Sequence, residues 1–234
     1  MAQNDAFDLS LSRAEVSERS FLSQVYFWMT MGLVLTGLVA WQTAATPALI
    51  VGLMRNPFLM LVLVIAQLGL VFWLSAAALS VSVTTATVGF SIYATLNGIL
   101  FSAIFLVYSG ASIASTFFVT AGMFGAVSLY GFTTKQSLAS AGSFLFMGLV
   151  GIILASVVNW FLKSPALYWI ITYFGIAVFI GLTAYDTQKL KMIHAQGFES
   201  GNTMKKVALL GALALYLDFI NLFLLLLRVF GRRK

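Results

Sequence analysis

The sequence predicts an all-α integral membrane protein with seven transmembrane helices, and three observations predict it. The 234-residue chain is 61% hydrophobic and only 9% charged, with a mean hydropathy of +0.99. So few charges cannot cover a soluble globule. The apolar residues fall into seven runs, each long enough to cross a hydrocarbon core of about 30 Å. The runs are continuous rather than alternating, which selects helices over barrel strands.

The first run, Phe21–Trp41, follows a polar, mixed-charge tail (residues 1–20) carrying Asp5, Asp8, Glu15 and Glu18. It is too long for the apolar region of a signal peptide, so no cleavable signal is expected. Pro47, Arg55, Asn56 and Pro57 separate it from Phe58–Leu79. Val83–Tyr108 is unusually polar, with Ser91, Thr95, Asn97, Gly98 and Ser102. Ser109-Gly110 turns the chain into Ala111–Tyr130, Lys135-Gln136-Ser137 leads to Leu138–Leu162, and Lys163-Ser164-Pro165 to Ala166–Tyr185. The next connection is the longest and most polar, starting as a basic helical continuation, Thr187–His194. Val207–Val229 completes a membrane domain of residues 21–231, and residues 232–234 form a basic end.

Small residues four apart (Ala121/Gly125, Gly122/Ala126, Gly151/Ala155) are expected to let helices approach closely. Trp28, Trp41, Trp73, Trp160 and Trp169 are expected near the interfaces.

The formal charge of +6 comes from Lys and Arg at span ends, a signal for orientation and anionic lipid. No basic patch points to nucleic acid. The absence of Cys removes disulfides, thiolate metal sites and Cys nucleophiles, and no cofactor or catalytic residue is expected. Seven basic residues on the N-terminal side face six on the other, which sets no orientation. A re-entrant last segment, turning at Asp218, would create a strong bias. Seven true spans with the N-terminus inside are favoured, since Val207–Val229 is long enough to cross and has no Pro or Gly near its middle.

Asp186 and Asp218 are the two acidic residues embedded in apolar sequence. A charge inside a bilayer costs on the order of a few kcal/mol, so such residues face a partner or a water-filled cavity. Asp218 lies about 16 Å into its span, near the midplane. Asn221, Ala214 and Gly211 share its face. Asp186 lies at the end of the sixth run, one turn before Lys189, and the two aspartates can meet if that helix continues to about His194 and is tilted. Two carboxylates in contact in a poorly solvated site cannot both ionise cheaply, so they share a proton. When both are ionised they attract a hard cation. A pH-gated cation pathway is the functional reading; hydrogen bonds that merely fix helix packing are the plainer one. Asn221, Asn97 and Lys189 are accessory candidates, with Asn97 expected to line a cavity. His194 stands alone in a basic loop and makes a poor metal ligand.

Three segments carry a resemblance: Gly125–Lys135 (GAVSLYGFTTK), Gly181–Leu190 (GLTAYDTQKL) and Leu215–Gly231 (LYLDFINLFLLLLRVFG). From about Phe21 onward the chain resembles the BAX inhibitor family, the transmembrane BAX inhibitor motif proteins, and its bacterial inner-membrane branch. The resemblance implies seven helices with the last surrounded by the other six, and a multi-pass protein of the bacterial inner membrane. It also implies a pH-sensitive calcium leak in which aspartates matching Asp186 and Asp218 sense protons and meet calcium. Calcium is thus the expected transported ion and comes from the resemblance alone. Some bacterial members carry a basic cluster at the end of helix 2 that latches the aspartates. Here Leu74–Val81 has no Lys or Arg, which leaves Lys189 or a hydrogen-bonded closure for that part.

Two rival readings remain. One is a non-transporting membrane protein that binds and modulates another membrane protein. The other is an intramembrane aspartyl protease, suggested by Tyr185-Asp186, a second Asp on the next helix and Pro165-Ala166-Leu167. The second aspartate lacks the Gly-x-Gly expected before it, and the Pro-Ala-Leu precedes both aspartates.

Overall fold

The computed structural model describes the backbone of residues 2–77, 79–198 and 200–234, and side chains from Ser17 within them. The side chains of Asp5, Asp8, Arg13, Glu15 and Glu199 lie outside that set. In order the helices are α1 (Ala2–Ala45), α2 (Pro47–Arg55), α3 (Pro57–Ala77), α4 (Val83–Phe101), α5 (Ile104–Val107), α6 (Gly110–Thr133), α7 (Ala139–Leu162), α8 (Pro165–Ala195) and α9 (Gly201–Phe230). Seven segments are long and apolar enough to cross a membrane: α1 from Ser17, α3, α4 with α5, α6, α7, α8 and α9.

Local sequence sets the helix ends. Ser82, Ser109, Ser164 and Ser200 each accept a hydrogen bond from the backbone N–H three residues on, the usual work of an N-cap serine. Pro47 and Pro165 occupy the first turns of α2 and α8, where the missing N–H costs nothing. The first connection therefore holds a short helix that hydropathy does not reveal, with Ile50 and Leu53 buried.

The bundle is built around α9. In its most apolar stretch 72% of residues are buried, against 6% in α3 and α7 and about a third in the rest. Helices α1, α4, α6 and α8 pack directly on α9, while α3 lies on α4 and α7 on α8. The rotation of α9 about its axis is held by Tyr216, which is fully buried. Its hydroxyl lies 2.7 Å from Thr36 Oγ1, which donates to the Ala94 carbonyl at 2.9 Å. Phe90 and Tyr93 meet its ring edge-on.

Both ends of α9 are tied down, at opposite faces of the bundle. At its start, Lys206 Nζ donates to the Leu79 carbonyl at the end of α3. Past its end, Ser109 N donates to the Arg232 carbonyl, Arg232 N to Ser112 Oγ, and Lys234 N to the Val107 carbonyl. A continuous helix with its ends at opposite faces is a true span, and the re-entrant alternative falls.

Of the small pairs chosen for their spacing, Ala121 packs against the core, but the glycines do not make the helix contacts. Gly122, Gly125 and Gly151 are exposed, and a Cβ on any of them would meet nothing within 4 Å. Spacing alone does not say which way a pair faces. The close approaches are elsewhere: Gly98 against the Thr36 carbonyl, Gly131 against the Ala184 backbone, and Gly211 against Leu190.

Candidate functional site

Helices α8 and α9 run antiparallel in a definite register. Leu190 packs on Gly211, and Gly175 on Leu225. Asp186 and Asp218 lie between these two contacts, and their carboxyl groups come within side-chain hydrogen-bonding reach of each other. The register resolves the depth of Asp186. Helix α8 continues to Ala195, ten residues past the end of its apolar run, so Asp186 sits about 14 Å inside the helix end. The contacts of Leu190 with Gly211 and Gly175 with Leu225 then bring Asp218 within about one turn of that level.

Asp218 is buried, and no hydrogen-bond donor among the described residues reaches its Oδ2. Buried polar atoms are satisfied in the great majority of cases, so an orphan carboxylate oxygen demands a reason. The packing-only reading would require a Tyr, Asn or Lys to bond the pair. Asn221 Nδ2 instead donates to the Leu217 carbonyl of its own helix at 2.8 Å.

The pair lines a cavity of about 1170 Å³ between α3 and α7, with α8 and α9 behind it. On α9 the lining stripe runs Ala214, Leu217, Asp218, Asn221, Leu224, Leu225 and Arg228, a helical face about 21 Å long. On α8 and α9 the polar lining residues are Tyr185, Asp186, Lys189, Asp218, Asn221 and Arg228. Toward Arg228 the wall becomes Ile152, Val157, Leu224 and Leu225. Arg228 itself stacks over Tyr168, 5.2 Å from the ring centroid.

Asn97 does not line this cavity. It is buried behind Gln67, which donates to its Oδ1 at 2.7 Å, while its Nδ2 donates to the Tyr93 carbonyl. An amide bonded through both its oxygen and its nitrogen in the α3–α4 contact is structural, and Gln67 and Tyr93 face the cavity in its place. Lys189 is exposed on the cavity rim, within electrostatic reach of Asp186 and 5.9 Å from the Tyr185 ring centroid. No ion pair within 4.0 Å joins it to Asp186 among the described residues.

The site also depends on residues that sequence reasoning left unassigned. Gln188, buried, accepts from Leu138 N at 2.7 Å and donates to the Gln136 carbonyl at 2.9 Å, fastening α8 to the α6–α7 turn. Lys191 Nζ donates to the Phe132 carbonyl, over the Phe132 ring, and lies 3.7 Å from Glu18. Gly142 gives the Tyr185 ring room on the cavity wall. Gly131, Gln136, Gln188 and Tyr185 all fall in or beside the distinctive segments Gly125–Lys135 and Gly181–Leu190, and that was the available signal. Pro165-Ala166-Leu167 starts α8 about 32 Å along the helix from Asp186, far from where a protease would need it.

Fold and site together define a polytopic α-helical membrane protein with an acidic pair buried on its central helix contact. The sequence model of the family described as "Inhibitor of apoptosis-promoting Bax1" matches residues 18–234, and the chain belongs to that family. Its relatives include the inner membrane protein YbhL of Escherichia coli K12, 52% identical over 96% of this chain and 97% of that one. An uncharacterized protein, RP147, of Rickettsia prowazekii is 40% identical over 100% of this chain and 95% of its own. One from Borreliella burgdorferi is 38% identical over 97% and 98%. With seven spans and an inner-membrane relative matched along nearly its full length, the chain is a multi-pass inner-membrane protein.

Proposed function

We propose that the chain is a calcium-permeable leak channel or exchanger, not an enzyme, in which Asp186 and Asp218 share a proton and thereby make cation passage pH-dependent. The observation that carries this reading is the orphan Oδ2 of Asp218, buried opposite a second carboxyl on a large cavity. A proton on the pair satisfies it; so does a cation. Carboxylate oxygens suit a hard ion such as calcium. A resident calcium site takes six to eight oxygens, and no cluster of three or more His, Cys, Asp or Glu side chains exists among the described residues. Two carboxylates with the Asn221 amide nearby therefore suit an ion in transit, partly hydrated, better than one held permanently. The apolar half of the cavity opposes ion entry unless it is wetted, which fits a closed form.

The test is calcium flux into liposomes containing the purified protein, measured across a pH series. Flux should vary with pH, and Asp186→Asn and Asp218→Asn should each flatten the profile. An unchanged profile in both variants overturns the role of the pair. No flux at any pH supports the alternative, a membrane protein that acts by binding another.

A further inference from the structure

We propose that the groove between α1 and α6 is a binding site for an anionic phospholipid of the surrounding bilayer, with the phosphate at Arg19 and an ester carbonyl at Ser128. The site is separate from the aspartate cavity. Helices α1 and α6 pack on α8 and α9 rather than closing on each other. Between them, on the bilayer side, a groove of about 390 Å³ remains, within the range of ligand pockets.

Four features of the groove suit a phospholipid. Arg19 is exposed at the mouth, where α1 emerges from its span. The neighbouring acid, Glu18, is directed to Lys191, and Lys135 follows just past the end of α6 on the same side. An anion at this mouth thus meets positive charge at the depth of the headgroup phosphates.

Below it lies Ser128, about 8 Å down α6 from Thr133. Ser128 is buried, 5% exposed, and its Oγ has no hydrogen-bond partner. A helical Ser or Thr ordinarily bonds the carbonyl one turn back, as Thr120 and Thr133 do on this same helix. Ser128 does not, and neither does Thr116, but Ser128 lines the groove, so an acceptor that enters there meets a buried hydroxyl with no partner of its own. Ser23, across the groove, supplies a second hydroxyl at a comparable depth.

The walls are apolar, formed by Leu22, Leu129 and Phe132. One turn below Ser128, Gly125 leaves the floor open, since a Cβ there would meet nothing within 4 Å. A slot of this kind accepts an acyl chain. With the phosphate at Arg19 and an ester carbonyl at Ser128, the acyl chain continues inward over Gly125 beside Tyr26.

Native mass spectrometry of the full-length protein with phosphatidylglycerol and phosphatidylethanolamine in equal amounts tests this. The wild type should retain phosphatidylglycerol preferentially. Arg19→Gln should reduce that preference about fivefold, the factor corresponding to one basic residue at an anionic surface. Gly125→Leu puts a side chain into the groove where a Cβ meets nothing within 4 Å and should abolish retention, whereas Gly69→Leu, on an equally open face of α3, should not. Ser128→Val removes the hydroxyl at similar volume and should weaken retention, giving a reading independent of whether Gly125→Leu folds. Equal retention of both lipids by the wild type, or wild-type retention in Ser128→Val, overturns the proposal. So does displacement of the lipid by excess inorganic phosphate, which would reveal an anion site only.

Discussion

Gly131 of α6 rests directly on the backbone carbonyl of Ala184 of α8, two residues before Asp186. Any side chain at Gly131 must push α6 away from α8 at the level where the acidic pair is held. Gly131→Ala should therefore cost about 1–3 kcal/mol, the range for overpacking a close contact. It should lower the unfolding temperature in detergent, while Gly122→Ala, on an open face, should not.

Gln188 links the same region to the α6–α7 turn through two hydrogen bonds. Gln188→Leu keeps the volume but leaves the Leu138 N–H without its acceptor, at a cost of about 1–3 kcal/mol. Hydrogen exchange at residues 136–138 should accelerate in the variant, and the pH profile of flux should shift as Asp186 loses its fixed position.

Calcium and protons compete for the same carboxylates in the proposed mechanism, so the sign of their linkage is fixed. Binding the cation requires both groups ionised and releases protons. Calcium should raise the unfolding temperature at alkaline pH, and the effect should shrink as pH falls. Ligand binding to the native state alone stabilises it by mass action. The shift should be absent in Asp218→Asn at every pH.

Thr36 and Tyr216 form the hydrogen bond that fixes how α9 is turned. Residues two apart on a helix point in nearly opposite directions, so this bond holds Asp218 toward the cavity. A double-mutant cycle of Thr36→Val and Tyr216→Phe should give a coupling of about 0.6 kcal/mol, the average for hydrogen bonds between membrane helices.

The two termini should lie on opposite sides of the membrane. With no native cysteine, single cysteines at Ala2 and Lys234 can be labelled with an impermeant maleimide in oriented vesicles. Each side should label one position only.

Much of the fold is legible in the sequence because hydropathy reads directly onto the bilayer. Seven runs become seven spans, and Asp218, inside a long run, is plainly internal. Asp186 is harder, because its helix outlasts its apolar run; only the packing of Leu190 on Gly211 sets its level. Asn97 was misplaced for a related reason. A polar residue in a polar span looks cavity-facing until its partner, Gln67 on another helix, is known. The glycines of the small-residue pairs failed because periodicity identifies a face but not what lies against it, whereas Gly131 and Gly142 needed the whole bundle to become visible as contacts.

The central helix is fastened at both ends, by Lys206 to Leu79 on one face and by the Arg232–Lys234 backbone to the α5–α6 turn on the other. It behaves as a fixed axle. Sliding or turning it would break the bonds at both bearings and the Tyr216 contact together. In the proposed mechanism, a path beside Asp218 must open around that axle, and the two least buried helices, α3 and α7, stand on either side of the cavity like the leaves of a door.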